Sequence, residues 1–393
     1  FTDLMIGPPP QRTSVIVDTG SRLVGFPCKG CDHCGDHLDP AFDFSSSESA
    51  RWLTCGLDCS TTCDDRRQHC TYQETYSEGS TISGRWFDDL VMLDNVFRSN
   101  PPVHARMGCH MNENKLFYTQ RANGIMGLAP SGGSVVPGTN RTRPTILQDL
   151  FRDKQHVSTE IFSICLATWG GRLTVGGFNT TYQRPGSLQW MPMNPSHYYF
   201  VFPEGLYLNA VPSMAQNHAS EFGIAIIDSG TTYTYFPPPV YDALVAELDS
   251  FCRVNGGCEA TRSGTECWRL LDPQAEPAAF PTLQMKFRGG SVTAWAPTDY
   301  LHMRGEQGVW CQTFMKNNLN QTVLGISWML HKDIIFDLQH SRLGVADAYC
   351  PEHHTENELL QRDSLGPAAE AVGDLAAAKS GRVFLVFACI VLM

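Results

Sequence analysis

The sequence predicts an all-β protein built as two β-rich lobes with a cleft between them. Three observations predict it. A strand-type apolar run that stops at an acid, a hydroxyl and a glycine occurs twice, as Val15-Ile16-Val17-Asp18-Thr19-Gly20-Ser21 and as Ile224-Ala225-Ile226-Ile227-Asp228-Ser229-Gly230-Thr231. Each copy is followed at a similar distance by an apolar run ending in glycine, Asn123-Gly124-Ile125-Met126-Gly127-Leu128 and Thr322-Val323-Leu324-Gly325-Ile326-Ser327. The chain has 393 residues, enough for two or three domains that each bury a core. Two motifs repeated in the same order imply an internal duplication that brings two carboxylates together.

The motif has a physical reading. Strand residues drive each run into a core. Asp18 and Asp228 then sit at buried strand ends, where an unpaired carboxylate is costly. Gly20 and Gly230 permit the sharp turn that follows. The hydroxyls of Thr19, Ser21, Ser229 and Thr231 can donate to carboxylate oxygens.

Composition narrows the class. The net charge is −11, and no basic block is long enough to suggest a nucleic-acid partner. Fifteen cysteines are too many for an ordinary cytosolic enzyme and imply disulfides in an oxidising compartment. Sequons at Asn140, Asn179 and Asn320 agree with that compartment.

Taken in order, residues 4–27 read as two strands joined by a turn at Gly7-Pro8-Pro9-Pro10. Residues 28–70 form a cysteine-dense insert with little periodicity. Residues 71–98 read as a hairpin turning at Ser77-Glu78-Gly79-Ser80, and residues 103–128 continue the first lobe. Ser131 to Arg143 is a loop, and Thr145 to Phe151 a short helix with Ile146, Leu147 and Leu150 on one face. Strands follow at Phe162–Leu166 and Arg172–Gly177. The lobe boundary is expected near Pro192–His197, dividing lobes 1–194 and 195–350, with a helix at Pro238–Phe251 in the second. Residues 351–382, polar and Ala-rich, read as a linker. Residues 383–393 carry no charge but are shorter than the about 20 residues a span needs. With Lys379 and Arg382 before them, they read as the start of a truncated transmembrane segment. Phe1 falls inside the expected first strand, and no signal peptide precedes it, so a natural N-terminus is expected upstream.

With these motifs in this order, residues 1–350 resemble the pepsin-like aspartic proteases. The resemblance implies a bilobal fold and a catalytic pair, Asp18 and Asp228, supported by Thr19, Gly20, Ser21, Ser229, Gly230 and Thr231. As in pepsin, two close carboxylates cannot both ionise cheaply and so share one proton. Tyr76-Ser77-Glu78-Gly79-Ser80 resembles the tip of the family's flap, expected over residues 72–86. Pepsins carry a Trp that holds the flap Tyr; Gly25 stands there, which leaves Tyr76 without that partner.

The run Cys28-Lys-Gly-Cys31-Asp-His33-Cys34-Gly-Asp-His37 invites a metal reading. A ferredoxin-like run needs Cys at position 38, which is Leu38. With Cys55, Cys59, Cys63, Cys70 and Cys109 the first lobe holds an even number of cysteines, which favours four disulfides over a metal. No metal or cofactor is expected. The insert resembles that of nepenthesin-type proteases. With Gly108-Cys109-His110-Met111 and Ile227-Asp228-Ser229-Gly230-Thr231-Thr232, the chain is similar to the plasmepsin V group, membrane-anchored proteases of the early secretory pathway. That resemblance implies cleavage of secretory or exported proteins at a short motif with an essential Arg, held by a flap acid that Glu78 matches. Gln120 is the nearest match to an assisting Gln. Ser77 replaces the free flap Cys of plasmepsin V. It further implies lobes in the lumen of the endoplasmic reticulum or Golgi and an anchor in its membrane.

Resemblance to pepsins implies a Cys267–Cys311 bridge, and resemblance to beta-secretase a Cys165–Cys350 bridge; Cys389 is left alone. Protein or peptide substrates are expected, with no nucleic acid, and the chain is expected to act as a monomer. Weighed alternatives are a general or beta-secretase-like protease, an inactive binding protein on the same fold, and a surface structural protein. Inactive relatives lose a catalytic Asp, and both are present here.

Overall fold

The strand Gln11–Asp18 carries the first acid at its C-terminal end. It runs parallel to Gly124–Gly127, with Asp18 opposite Gly127. The computed structural model describes residues 1–56, 59, 62–64, 66, 68–93, 102–133, 144–152, 154, 157–212, 220–253 and 257–352. The second acid repeats the arrangement. Strand Ala225–Ile227 lies parallel to Thr322–Leu324, and Asp228 donates its backbone N–H to the Leu324 carbonyl at 3.0 Å.

The duplication extends to the neighbouring strands. Val24–Pro27 pairs antiparallel with Gly124–Gly127 and parallel with Val103–Glu113. Thr234–Phe236 pairs antiparallel with Thr322–Leu324 and parallel with Phe314–Lys316. Both acids therefore emerge from a four-strand unit of one topology. The expected pair of strands over residues 4–27 is in fact three: Thr2–Ile6, Gln11–Asp18 and Val24–Pro27. The reason is local. The Asp18-Thr19-Gly20-Ser21 turn breaks the apolar run, and the residues beyond it re-enter the sheet on the far side of Gly124–Gly127.

The first unit belongs to a nine-stranded sheet, whose hairpin His69–Thr75 and Thr81–Met92 bears the expected flap turn. The second belongs to a six-stranded sheet, and the same part of the chain forms two four-stranded sheets. A five-stranded sheet joins them. In it, Ile161–Ala167 pairs with Lys332–Asp337 and Gln189–Pro192 with Arg342–Asp347, so strands from before the expected lobe boundary meet strands from the chain's later part, and Gly170–Val175 adds the edge beside Ile161–Ala167. All six residues of Lys332–Asp337 are buried, as a strand covered on both faces requires.

Phe26, Phe42 and Phe87 pack edge to face and stacked at 5.4–6.0 Å in the first lobe. Phe236, Trp295, Tyr300 and Phe314 pack edge to face or tilted at 5.7–6.4 Å in the second. The helix Ile146–Arg152 buries Ile146, Leu147 and Leu150. The helix Pro238–Arg253 opens with proline and buries Val240, Leu244 and Leu248, one residue per helical turn.

Disulfides tie the loops. Among the described residues they join Cys28–Cys109, Cys31–Cys34, Cys55–Cys63, Cys59–Cys70, Cys165–Cys350, Cys252–Cys258 and Cys267–Cys311. Asn179 and Asn320 are exposed. Asn140, residues 353–382 of the expected linker, and the expected membrane segment 383–393 with Cys389 lie outside the described residues. Among the described residues, no helix is long and apolar enough to cross a membrane.

Candidate active site

Asp18 and Asp228 meet where the two repeated units face each other. Both are almost wholly buried. Each is held in the same way by its own turn. Asp18 accepts from the Gly20 backbone N–H at 2.8 Å and from the Ser21 hydroxyl. Asp228 accepts from the Gly230 N–H at 2.9 Å and from the Thr231 hydroxyl at 2.6 Å. The glycines are required by close approach. A Cβ on Gly20 would lie 2.5 Å from Asp228 Oδ1, and one on Gly230 would collide with Asp18 Oδ1. Each turn therefore presses its glycine against the carboxylate of the other lobe.

The two turns are locked by crossed hydrogen bonds. The Thr19 N–H donates to Ser229 Oγ at 3.0 Å, and the Ser229 N–H to Thr19 Oγ1 at 2.9 Å. Each hydroxyl then donates onward across the interface, Thr19 to the Ile227 carbonyl at 2.9 Å and Ser229 to the Val17 carbonyl at 2.8 Å. These bonds fix the carboxylates relative to each other before any substrate arrives.

Burial pushes both carboxyls above the ordinary carboxylate range. For Asp228, which is pushed up further, the charge of Asp18 adds to burial. For Asp18, the donors Ser21 and Gly20 oppose burial, as does the Arg22 charge. The physical content is one proton shared by a buried pair. Such a pair can take a proton from water with its ionised member and give one to a carbonyl oxygen with the other.

Tyr76 is buried at the start of its turn. The turn closes through Tyr76 N–H to the Ser80 carbonyl at 2.8 Å and Gly79 N–H to the Tyr76 carbonyl at 2.9 Å. Gly79 has φ +88°, which a residue with a side chain adopts only under strain. Burial raises the Tyr76 phenol well above its ordinary range, and the Asp18 charge adds to this. The Trp that pepsins set against this tyrosine is absent, and another ring packs on Tyr76 in its place. Phe117, from the short helix Lys115–Thr119, packs on the Tyr76 ring at 4.8 Å between centroids. The space at Gly25 is taken by His110, whose Nε2 would lie 2.5 Å from a Cβ there. The Lys115-Leu116-Phe117 segment beside the flap strand offered a weak sequence signal, an apolar pair without strand alternation.

Glu78 is half-buried on the turn, and its Oε1 accepts from the Ser80 N–H at 3.3 Å. Its Oε2 is buried with no hydrogen-bond partner. Gln120 caps the helix Lys115–Thr119. Its Nε2 donates to the Ala122 carbonyl at 3.1 Å, and its Oε1 is also buried and unpartnered. The flap turn and this helix touch: the Leu116 N–H donates to Ser80 Oγ at 3.2 Å.

Residues weighed as metal ligands have other partners. Cys31 and Cys34 bond each other. The His33 ring meets the Glu113 carbonyl at 2.7 Å, and His37 the Glu113 carboxylate at 3.1 Å. Sequence reasoning also missed Arg22. It follows the first turn, donates to the Pro130 carbonyl at 2.8 Å and to the His197 carbonyl, and lies over the Tyr198 ring at 5.5 Å. It thereby ties the first acid's turn to the segment entering the second lobe.

Two duplicated turns, two buried carboxylates sharing a proton, and a hairpin tyrosine beside them define an aspartic endopeptidase. The comparisons agree. The eukaryotic aspartyl protease family matches residues 1–348, and the chain belongs to it. Aspartic protease 5 of Toxoplasma gondii is 34% identical, over 93% of this chain and 38% of that protein. Plasmepsin V of Plasmodium falciparum is 25% identical, over 93% of this chain and 74% of that protein. Aspartic proteinase 36 of Arabidopsis thaliana is 25% identical, over 94% of this chain and 76% of that protein. The chain thus spans well under half the length of the Toxoplasma relative.

Proposed function

We propose that this protease processes secretory or exported proteins at a short motif containing Arg, with Asp18 and Asp228 as its catalytic pair. A water taken up between them is deprotonated by the ionised carboxylate, while the protonated one donates to the scissile carbonyl. Attack gives a tetrahedral diol. Protonation of the amide nitrogen then releases the product amine. The pair acts as a unit, so neither acid is permanently the base.

Selection of Arg falls to Glu78 and Gln120. The observation that carries this is their pair of buried acceptor atoms, Glu78 Oε2 and Gln120 Oε1, both without partners on elements that meet at Ser80 and Leu116. Buried acceptors left unpaired are costly, so a donor-rich ligand group is the natural complement. Guanidinium is planar and offers several donors in a fork, which favours Arg over Lys. The resemblance to plasmepsin V-type enzymes supports the same assignment. Seven disulfides among the described residues and the exposed sequons Asn179 and Asn320 support action in the secretory lumen. We assign residues 383–393 to a membrane anchor on the sequence pattern.

The test is a cycle of two enzymes and two peptides. kcat/KM is measured for an Arg peptide and its Ala counterpart, on the wild type and on Glu78→Ala. A charge-assisted pair is worth about 1.5–3 kcal/mol, so the wild type should favour Arg by roughly 10- to 150-fold. Glu78→Ala should lose most of that preference and keep its rate on the Ala peptide. A coupling of zero would return Glu78 to a solvated hairpin charge.

A further inference from the structure

Glu113 is fully buried, yet it is not used by the chemistry above. It ends the strand Val103–Glu113, opposite Ile82 of the hairpin that bears the flap turn. Its carboxylate is shared by two imidazoles. Oε1 lies 2.6 Å from His110 Nδ1, and Oε2 lies 3.1 Å from His37 Nε2. Its backbone is held as well, with N–H to the His33 carbonyl at 2.7 Å and its carbonyl to the His33 ring at 2.7 Å. Burial opposes its ionisation, but the bonds from His110 and His37 outweigh that and hold its carboxyl below the ordinary range.

Each imidazole passes the constraint on. His110 meets Phe117 edge to face at 6.4 Å, and Phe117 supports Tyr76 at 4.8 Å. The Nδ1 of His37 lies 3.0 Å from the carbonyl of Gln120, the residue that ends the Phe117 helix. Thus the insert, the strand and the helix beneath the flap converge on one carboxylate. The ring of Phe117 has no polar bond to orient it, so what surrounds it decides where it stands.

We propose that Glu113 is a positioning residue for the cleavage reaction: by gripping His37 of the insert and His110 of the strand, it sets Phe117 against Tyr76 and so fixes the flap tyrosine over the catalytic pair. This rests on the flap reading of Tyr76. It gives the cysteine-rich insert a role in turnover as well as in stability.

The test uses the neutral Ala peptide, on which Glu78 has no Arg to recognise, so its failure is separate from that of the Arg assignment. Rates are normalised to active sites titrated with pepstatin, which removes any effect of misfolded protein. Glu113→Gln keeps the shape and removes the charge. It should lower kcat roughly 10- to 100-fold with little change in KM, because a misplaced flap tyrosine is felt mainly in the transition state. Phe117→Leu should do likewise, and the double variant should be no worse than about the poorer single one, because the two act in series. Losses that multiply, or a normalised kcat equal to wild type, would overturn the proposal. If Glu113→Gln does not fold, His110→Gln makes the same measurement, since it removes the ring that Glu113 holds against Phe117. Failure of both to fold would make the cluster a stability element and would also overturn it.

Discussion

Burial pushes Asp228 and Asp18 above their ordinary pKa, and for Asp228 the like charge of Asp18 adds to that. The sign of the consequence for stability is fixed by linkage. A carboxyl whose folded pKa is raised stabilises the fold below the unfolded value, about 3.9, and loses that contribution as pH rises through the folded value. At neutral pH the proposed catalytic pair is therefore a burden on the fold. Asp228→Asn should abolish turnover and raise Tm at pH 7, with little change in Tm at pH 3, where the wild-type carboxyl is already neutral. Thermal unfolding of both proteins at the two pH values checks this; an equal shift at both would mean that the pair carries no charge penalty. At Gly20 the constraint is steric. Gly20→Ala forces a methyl group to 2.5 Å from Asp228 Oδ1, so it should remove activity even where the protein still folds.

At the scale of the element, the turn is the functional unit. A strand delivers the acid, a glycine lets the next lobe approach, and one hydroxyl on each side closes the crossed lock. Ser229→Ala leaves the buried Thr19 N–H without its partner at Ser229 Oγ. Such a loss costs about 1–3 kcal/mol. Denaturant unfolding should show a fall of that size, and kcat/KM should fall with it because the two carboxylates are no longer held in register. A change below about 0.5 kcal/mol, the range of an ordinary surface substitution, would show that the lock contributes nothing. The flap is an element of a different kind. Its turn chemistry, Ser77-Glu78-Gly79-Ser80, is local and could be read directly, but its support is not. Phe117 reaches Tyr76 from the helix that follows the strand Val103–Glu113, whose pairing with Thr81–Met92 shifts register between Ser83 and Gly84, leaving Met111 as the extra residue.

For the whole molecule, the joining sheet and one disulfide decide how the lobes are held. Cys165, on the strand Ile161–Ala167 inside that sheet, is bonded across 185 residues of chain to Cys350, just beyond the strand Arg342–Asp347. Closing so long a loop restricts the unfolded chain by roughly 4–5 kcal/mol in the chain-entropy picture. Replacing both by serine should cost about 2–5 kcal/mol, because measured effects fall short of the entropic figure. Calorimetry under non-reducing conditions checks this, and a loss below about 1 kcal/mol would show that the bridge adds little to the five-stranded sheet. The catalytic pair should keep its geometry in that variant, since the crossed lock of Thr19 and Ser229 spans the same interface independently.

The sequence by itself determined the two lobes, the acid at the end of each central strand, and the hairpin turn at Ser77-Glu78-Gly79-Ser80. These are legible because they rest on short-range pattern: apolar strand residues, a hydroxyl within reach of its own carboxylate, and glycine where the backbone must turn or be approached. Two of the bridges, Cys165–Cys350 and Cys267–Cys311, were reached through family resemblance, because spacing alone leaves roughly a hundred pairings for the first eight cysteines. Tertiary structure alone decided that His33 and His37 serve Glu113, that His110 fills the space over Gly25, that Phe117 replaces the missing flap support, and that Arg22 spans to His197 and Tyr198. It also decided that strands on both sides of the expected lobe boundary share one sheet. The physical reason is the same in each case. Which side chains meet across distant segments depends on strand order and register, and those are set by the packing of the whole core rather than by any local run of residues.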